Sequence, residues 1–325
     1  MTVYAGIDES GYGPVLGPFV IARTVFSLDR ADPGRPPPSL WNTLKSSVCR
    51  KNKDRRGRIA VGDSKSLYTP SLGLGCLERG VLSFLNSSGK APESLDQLLH
   101  LTAHDADSST PEQPWYEDPL GGPALPANSS ADDLAACARK LSRAASRTGV
   151  VLEDLSTAVV FEDRFNRVVE TSGSKANCEW KFVAAHLQAI WERYSHHHPY
   201  VAVDSLGGRK DYRGLLATSL AWADVVPTES PDGSPCYRLS DGDRGMHVLF
   251  RVRCEEVHLP VALASMLAKY VRELFMLRFR SFWHNLAPDI RPTYGYLPDG
   301  NRFIAEIEPL IDRLGIRRET LVRCR

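Results

Sequence analysis

The opening thirty residues constrain the fold more than any other stretch. Residues 2 to 8 alternate loosely, Gly11, Gly13 and Pro14 then interrupt them, and Pro18 to Ser27 is again apolar and β-branched. Two strands joined by a glycine turn follow from that pattern. The pair Asp8-Glu9 falls where the first strand ends. Two further acidic positions share this placement. Tyr200 to Val203 reads as a compact apolar strand ending in Asp204, with Gly207-Gly208 turning beyond it, and Val248, Phe250 and Val252 alternate ahead of Glu255-Glu256. Ala158 to Phe161 reads as another short strand.

Helical periodicity fills the rest. It runs over Asp132 to Thr148 and over Ala176 to Tyr194, where Trp180, Val183, Ala184, Leu187, Ile190, Trp191 and Tyr194 form a core-facing stripe. Pro260 opens the longest pattern, with Ala264, Leu267, Ala268, Val271, Leu274, Phe275 and Phe282 on one face. Without an internal repeat, this mixture predicts a mixed sheet flanked by helices. Asp32 to Pro38 reads as a proline-rich loop, and His196 to His198 as a loop closing a helix. From Ser87 to Ser130 the composition turns to Ser, Pro, Gly, Asp and Asn, which predicts a partly mobile insertion at 87–130.

Composition narrows the class. With 325 residues, 42% of them hydrophobic, the chain can bury a large core. Its 40 basic and 39 acidic residues leave a net charge of +1, so any nucleic-acid surface must be local. Arg50 to Arg58, with six Lys or Arg in nine residues, is the candidate patch, and a solvated loop accounts for it equally well. Seven scattered cysteines without a CxxC pair indicate neither a disulfide framework nor a zinc site. No apolar run approaches the roughly 20 residues of a membrane span, and no secretory layout opens the chain. A soluble, cytoplasmic protein is expected.

Acids at strand ends suit one chemistry well. Phosphodiester hydrolysis without a redox cofactor commonly uses two divalent metals about 4 Å apart, held by carboxylates on rigid elements. Asp8, Glu9, Asp204 and Glu255 match in type and placement. Any single one is more often a turn residue or helix N-cap.

The order of motifs adds a resemblance. Gly6-Ile7-Asp8-Glu9-Ser10-Gly11-Tyr12-Gly13-Pro14, with Gly17-Pro18, resembles the G-x-D-E-x-G-x-G-P-x-x-G-P signature of ribonucleases HII. Asp63-Ser64-Lys65-Ser66-Leu67 resembles the D-S-K-x-L motif, Val203-Asp204 the third acidic site, and Glu255 with Ala264-Ser265-Met266-Leu267-Ala268-Lys269 the fourth acid and the A-S-x-x-A-K helix. Glu at the fourth site resembles ribonuclease HIII, and Glu256 is the neighbour that a one-residue slip would substitute. Tyr12 stands where the HII class has Arg, a departure that bears on reading a single ribonucleotide in DNA. The opening on the acid-bearing strand predicts no N-terminal substrate-binding domain of the HIII kind. Tyr294-Gly295-Tyr296-Leu297-Pro298-Asp299 resembles a G-Y-P-x-D segment, with Tyr296 the better match for the sugar-packing tyrosine and Tyr294 the second.

The resemblance implies a single ribonuclease H-like domain over 1–325, with about five strands and a C-terminal helical part from about 258. Asp8, Glu9, Asp204 and Glu255 would hold two Mg²⁺ or Mn²⁺ ions, and Gly11, Tyr12, Gly13, Ser64, Lys65, Lys269 and Tyr296 would contact substrate. The implied reaction is endonucleolytic cleavage of RNA in an RNA/DNA hybrid or a ribonucleotide-containing DNA duplex, leaving 5′-phosphate ends, by a monomer. Three rivals are an actin-like-fold kinase, a binding protein without catalysis, and a nuclease with altered substrate. A kinase would follow its Asp with Gly and a hydroxyl residue, whereas Glu9 follows Asp8. Four clustered acids are costly to keep without a metal, which weighs against the binding protein.

Overall fold

The computed structural model describes residues 1–29, 36–52, 54, 56–104, 113–117 and 124–324. Its strands are β1 (Thr2–Ser10), β2 (Phe19–Leu28), β3 (Val48–Cys49), β4 (Ile59–Ala60), β5 (Val150–Val160), β6 (Tyr200–Asp204), β7 (Asp224–Thr228), β8 (Cys236–Asp241) and β9 (Arg244–Arg251). Among the described residues the main sheet has seven strands in the order β5-β2-β1-β6-β9-β8-β7. β1 runs antiparallel to β2 and parallel to β6, which is parallel to β9, while β5 is antiparallel to β2. These five strands form the core of the expected mixed sheet flanked by helices. β8 and β7 extend it as an antiparallel pair. Their short, polar sequences and the edge position of Pro227 explain why no strand pattern announces them.

Two other boundaries differ from the sequence reading. β5 begins at Val150, eight residues before the expected Ala158, because its first half is a partly exposed edge carrying Glu153 and Asp154. β9 ends at Arg251, and Val252 lies in the following turn, 69% exposed.

The helices are α1 (Leu40–Thr43), α2 (Ser64–Leu67), α3 (Gly75–Ser87), α4 (Leu95–Thr102), α5 (Ala131–Thr148), α6 (Glu162–Ser172), α7 (Lys175–Tyr194), α8 (Arg213–Ser219), α9 (Leu259–Leu286), α10 (Asp299–Leu314) and α11 (Arg318–Leu321). They cover both faces of the sheet, so β1 and β2 are buried almost throughout. Val3, Ala5 and Ile7 join the core beneath α7, and Tyr4 joins the one beneath α9. α9 lies directly on β1: a Cβ at Gly6 would meet the Val261 nitrogen at 2.2 Å, so only glycine allows this approach. Thr24 fixes the same end by donating its hydroxyl to the Pro260 carbonyl at 2.8 Å.

The 87–130 segment contributes α4 and the fully buried Trp115 and Tyr116. Adjacent buried aromatics have no period, so their burial leaves no trace in a pattern count. Residues 32–35 of the proline-rich stretch, and Lys53 and Arg55 of the basic run, lie outside the described residues. Elsewhere in that run, Arg58 pairs with Asp54 at 2.8 Å and Arg50 stacks on Trp41 at 3.6 Å. After α7, a 3₁₀ turn spans Ser195–His197. Among the described residues no helix is long and apolar enough to cross a membrane.

Candidate active site

Parallel pairing sets the site. β1 and β6 align from Tyr4 opposite Tyr200 to Ile7 opposite Val203, so the next step brings Asp8 beside Asp204. Oxygens of Asp8, Glu9 and Asp204 lie within 4.8 Å of one another. The Glu9 amide donates to Asp8 Oδ1 at 2.7 Å, and the Cys254 amide donates to Asp204 Oδ1 at 3.0 Å. That second bond ties the β6 acid to the 3₁₀ turn Cys254–Glu256, and Glu255 on this turn lines the same cavity. The cavity holds about 210 Å³ and is also lined by Gly11, Tyr12, Gly13, Ser64, Lys65, Lys269 and Tyr296. Glu256 is more exposed, 3.7 Å from Arg253.

Electrostatics make this an anion-rich hollow. Burial, then the charges of Glu9 and Asp204, push the Asp8 carboxyl well above its usual range. Burial also raises Glu9 and Glu255, and it raises Asp204 to about 6. Carboxylates packed this closely bind protons or a cation. The donor set is all oxygen, which fits a hard divalent ion such as Mg²⁺ or Mn²⁺.

The other expected residues take distinct places. Gly11 has φ +90°, and a Cβ there would press on Arg272 and the Pro18 carbonyl at 2.8 Å, so this turn requires glycine. Tyr12 packs edge-on against Phe19, with ring centroids 6.1 Å apart. Asp63 caps α2 by accepting from the Lys65 amide at 2.9 Å, while the Ser64 and Ser265 hydroxyls sit 3.0 Å apart. Lys269 Nζ lies 2.9 Å from Glu273, which also pairs with Arg272 at 2.8 Å and accepts from the Tyr68 hydroxyl at 2.6 Å. Tyr296, 43% exposed, stands on the cavity with Lys269 5.7 Å from its ring centroid. Tyr294 stacks instead with Arg280 at 4.7 Å.

Sequence reasoning missed two features. Glu179, on the first turns of α7, is 3% exposed and faces Glu9 and Asp204. Burial, then those two charges, raises its carboxyl to about 8. An acid four residues ahead of Val183, on a core-facing stripe, was the available signal. The second feature is a clamp on the turn after Glu9. Buried Arg323 donates its guanidinium to the Pro14 carbonyl and its amide to the Val15 carbonyl, while the Gly17 amide donates to buried Glu162 at 2.9 Å. No local pattern links residues 309 positions apart.

No family model and no curated protein matches this sequence. Solved structures do. Ribonuclease H2 from Pyrococcus horikoshii OT3 is 15% identical with a TM-score of 0.49, the match covering 98% of this chain and 92% of that one. The ribonuclease HII structure from the PCNA:RNase HII complex of Archaeoglobus fulgidus is 14% identical with a TM-score of 0.44, over 99% and 94%. Bst-RNase HIII in complex with Mn²⁺ is 14% identical with a TM-score of 0.40, over 99% of this chain and 66% of that one. These likenesses assign no role to a residue here.

Proposed function

We propose that the chain is a type 2 ribonuclease H: a divalent-metal-dependent endonuclease that hydrolyses the RNA strand of RNA/DNA hybrids, or of DNA containing ribonucleotides, and leaves 5′-phosphate ends. One observation carries the reading. Asp8, Glu9 and Asp204 converge within 4.8 Å, in a cavity that Glu255, Lys65, Lys269 and Tyr296 also line. The four acids are the proposed metal ligands and catalytic residues, and divalent cations held there supply Lewis acidity toward the scissile phosphate.

The chain's own groups do the rest. Lys65 places a positive charge on the cavity wall for the nucleic-acid backbone, and Lys269 does so from a stem fixed by Glu273. Gly11 and Gly13 keep the β1–β2 turn thin where a minor groove would approach. The Tyr296 ring can stack on a sugar while its hydroxyl senses a 2′-OH. Tyr12, packed against Phe19, leaves the choice between uniform hybrids and single embedded ribonucleotides to experiment. The test uses labelled duplexes of both kinds with Mg²⁺ or Mn²⁺, cut by wild type and by Asp8→Asn. Metal-dependent cleavage abolished by Asp8→Asn supports the assignment. No cleavage of either duplex by folded wild type would overturn it.

A further inference from the structure

Glu179 is a buried acid with no structural occupation. Its side chain is 3% exposed, yet among the described residues it makes no hydrogen bond and no ion pair. The charged groups facing it are Glu9, Asp204 and, on the loop beyond β6, Arg209. Two of these three repel a carboxylate. An unpaired charge in such surroundings is expensive, and a glutamine of the same shape would serve packing at lower cost.

Strand geometry explains why this acid meets the site. Successive residues of β1 point to opposite faces. Val3, Ala5 and Ile7 point into the core beneath α7, and Glu9 continues that series. Asp8 points to the opposite face, where Ser265 of α9 lines the same cavity. Glu179 therefore approaches the acidic group from the α7 side of the sheet, where Glu9 stands, and the α9 side is served by Asp8.

We propose that Glu179 stands behind the cation site, outside the lining of the cavity itself, and supplies negative charge on the Glu9 side that raises the affinity for divalent metal. The inference rests on the cation-site reading above, and its test separates the two. Mn²⁺ binding is followed by electron paramagnetic resonance and by calorimetric titration for wild type, Glu179→Gln, Glu179→Asp and Asp8→Asn, with melting in chelator recorded alongside.

The expected result is a loss of roughly 10–100-fold in Mn²⁺ affinity for Glu179→Gln. Glu179→Asp should recover part of it, and Glu179→Gln should melt in chelator no lower than wild type. Wild-type affinity in Glu179→Gln would overturn the role of Glu179 while leaving the site intact. A lower melting point with unchanged affinity would show a merely structural acid, with the same consequence. If wild type binds no Mn²⁺, the cation site itself fails. Should Glu179→Gln not fold, Glu179→Met, which removes the charge and keeps the bulk, decides in its place: affinity equal to wild type overturns the proposal, and weakened affinity supports it.

Discussion

Two buried glutamates flank the cavity and live in opposite electrostatic worlds. Glu273, 1% exposed on α9, is surrounded by Arg272, Lys269 and the Tyr68 hydroxyl. Burial alone would raise its carboxyl, but Arg272 and Lys269 outweigh that and hold it below the usual value. Glu179, 3% exposed on α7, meets Glu9 and Asp204 and is raised to about 8. The first is an ion-pair network that fixes Lys269 and anchors the helix. The second is left, among the described residues, without an ion-pair partner beside two other acids. Buried acids thus divide into those the fold neutralises itself and those that await something from outside, and only the second kind marks a binding site.

The sharpest way to break the contrast is to remove one acid from each side. Asp8→Asn should cut cleavage of an RNA/DNA hybrid by about 10²–10³-fold or more while folding remains intact, measured by initial rates and circular dichroism. Glu273→Gln should do the reverse and strike the fold. It leaves Arg272 and Lys269 buried without their anion, at a cost of about 3–5 kcal/mol. For a chain of this length that lowers the melting temperature by roughly 4–7 °C. If Glu273→Gln melts like wild type, the ion-pair account of that glutamate is wrong.

A pH series sharpens the comparison further. Free carboxyls ionise near pH 4 in an unfolded chain, whereas Asp204 is raised to about 6 and Glu179 to about 8 in the fold. Between these limits the native state holds more protons than the unfolded one. Stability in chelator is therefore greatest below pH 4 as far as these two groups decide it, falls as pH rises through 6 and 8, and levels off above. Melting scans from pH 5 to 9 should show this decline, and added Mg²⁺ or Mn²⁺ should flatten it. A slope that the cation leaves unchanged would separate these acids from metal binding. The smallest effect is expected at the rim: Tyr296→Phe, losing one hydroxyl contact of about 1 kcal/mol, should slow hybrid cleavage about fivefold with no change in melting.

Much of this molecule was legible before its coordinates. Strong local periods announced α7 and α9 nearly to their ends, and the turn glycines announced the β1–β2 hairpin. The four acids read from strand ends do line one cavity, because a strand end is a position the sequence can mark. β7 stayed hidden because its burial is slight, and β8 because its buried residues Cys236, Tyr237 and Leu239 make only a weak alternation. Glu179 stayed hidden because a helix stripe says which face is inward and not what lies opposite. Trp115 and Tyr116 were concealed by a polar neighbourhood whose composition suggests exposure.

The clamp formed by Arg323 has a consequence in time as well as in space. It joins Pro14 to a residue 309 positions later. On a ribosome the acids of β1 emerge long before Arg323, so the turn beside them gains its Arg323 contacts only after the 309 residues that follow Pro14 have been made. A nascent chain that stops short of Arg323 thus carries the acids without the fastening that shapes the turn beside them.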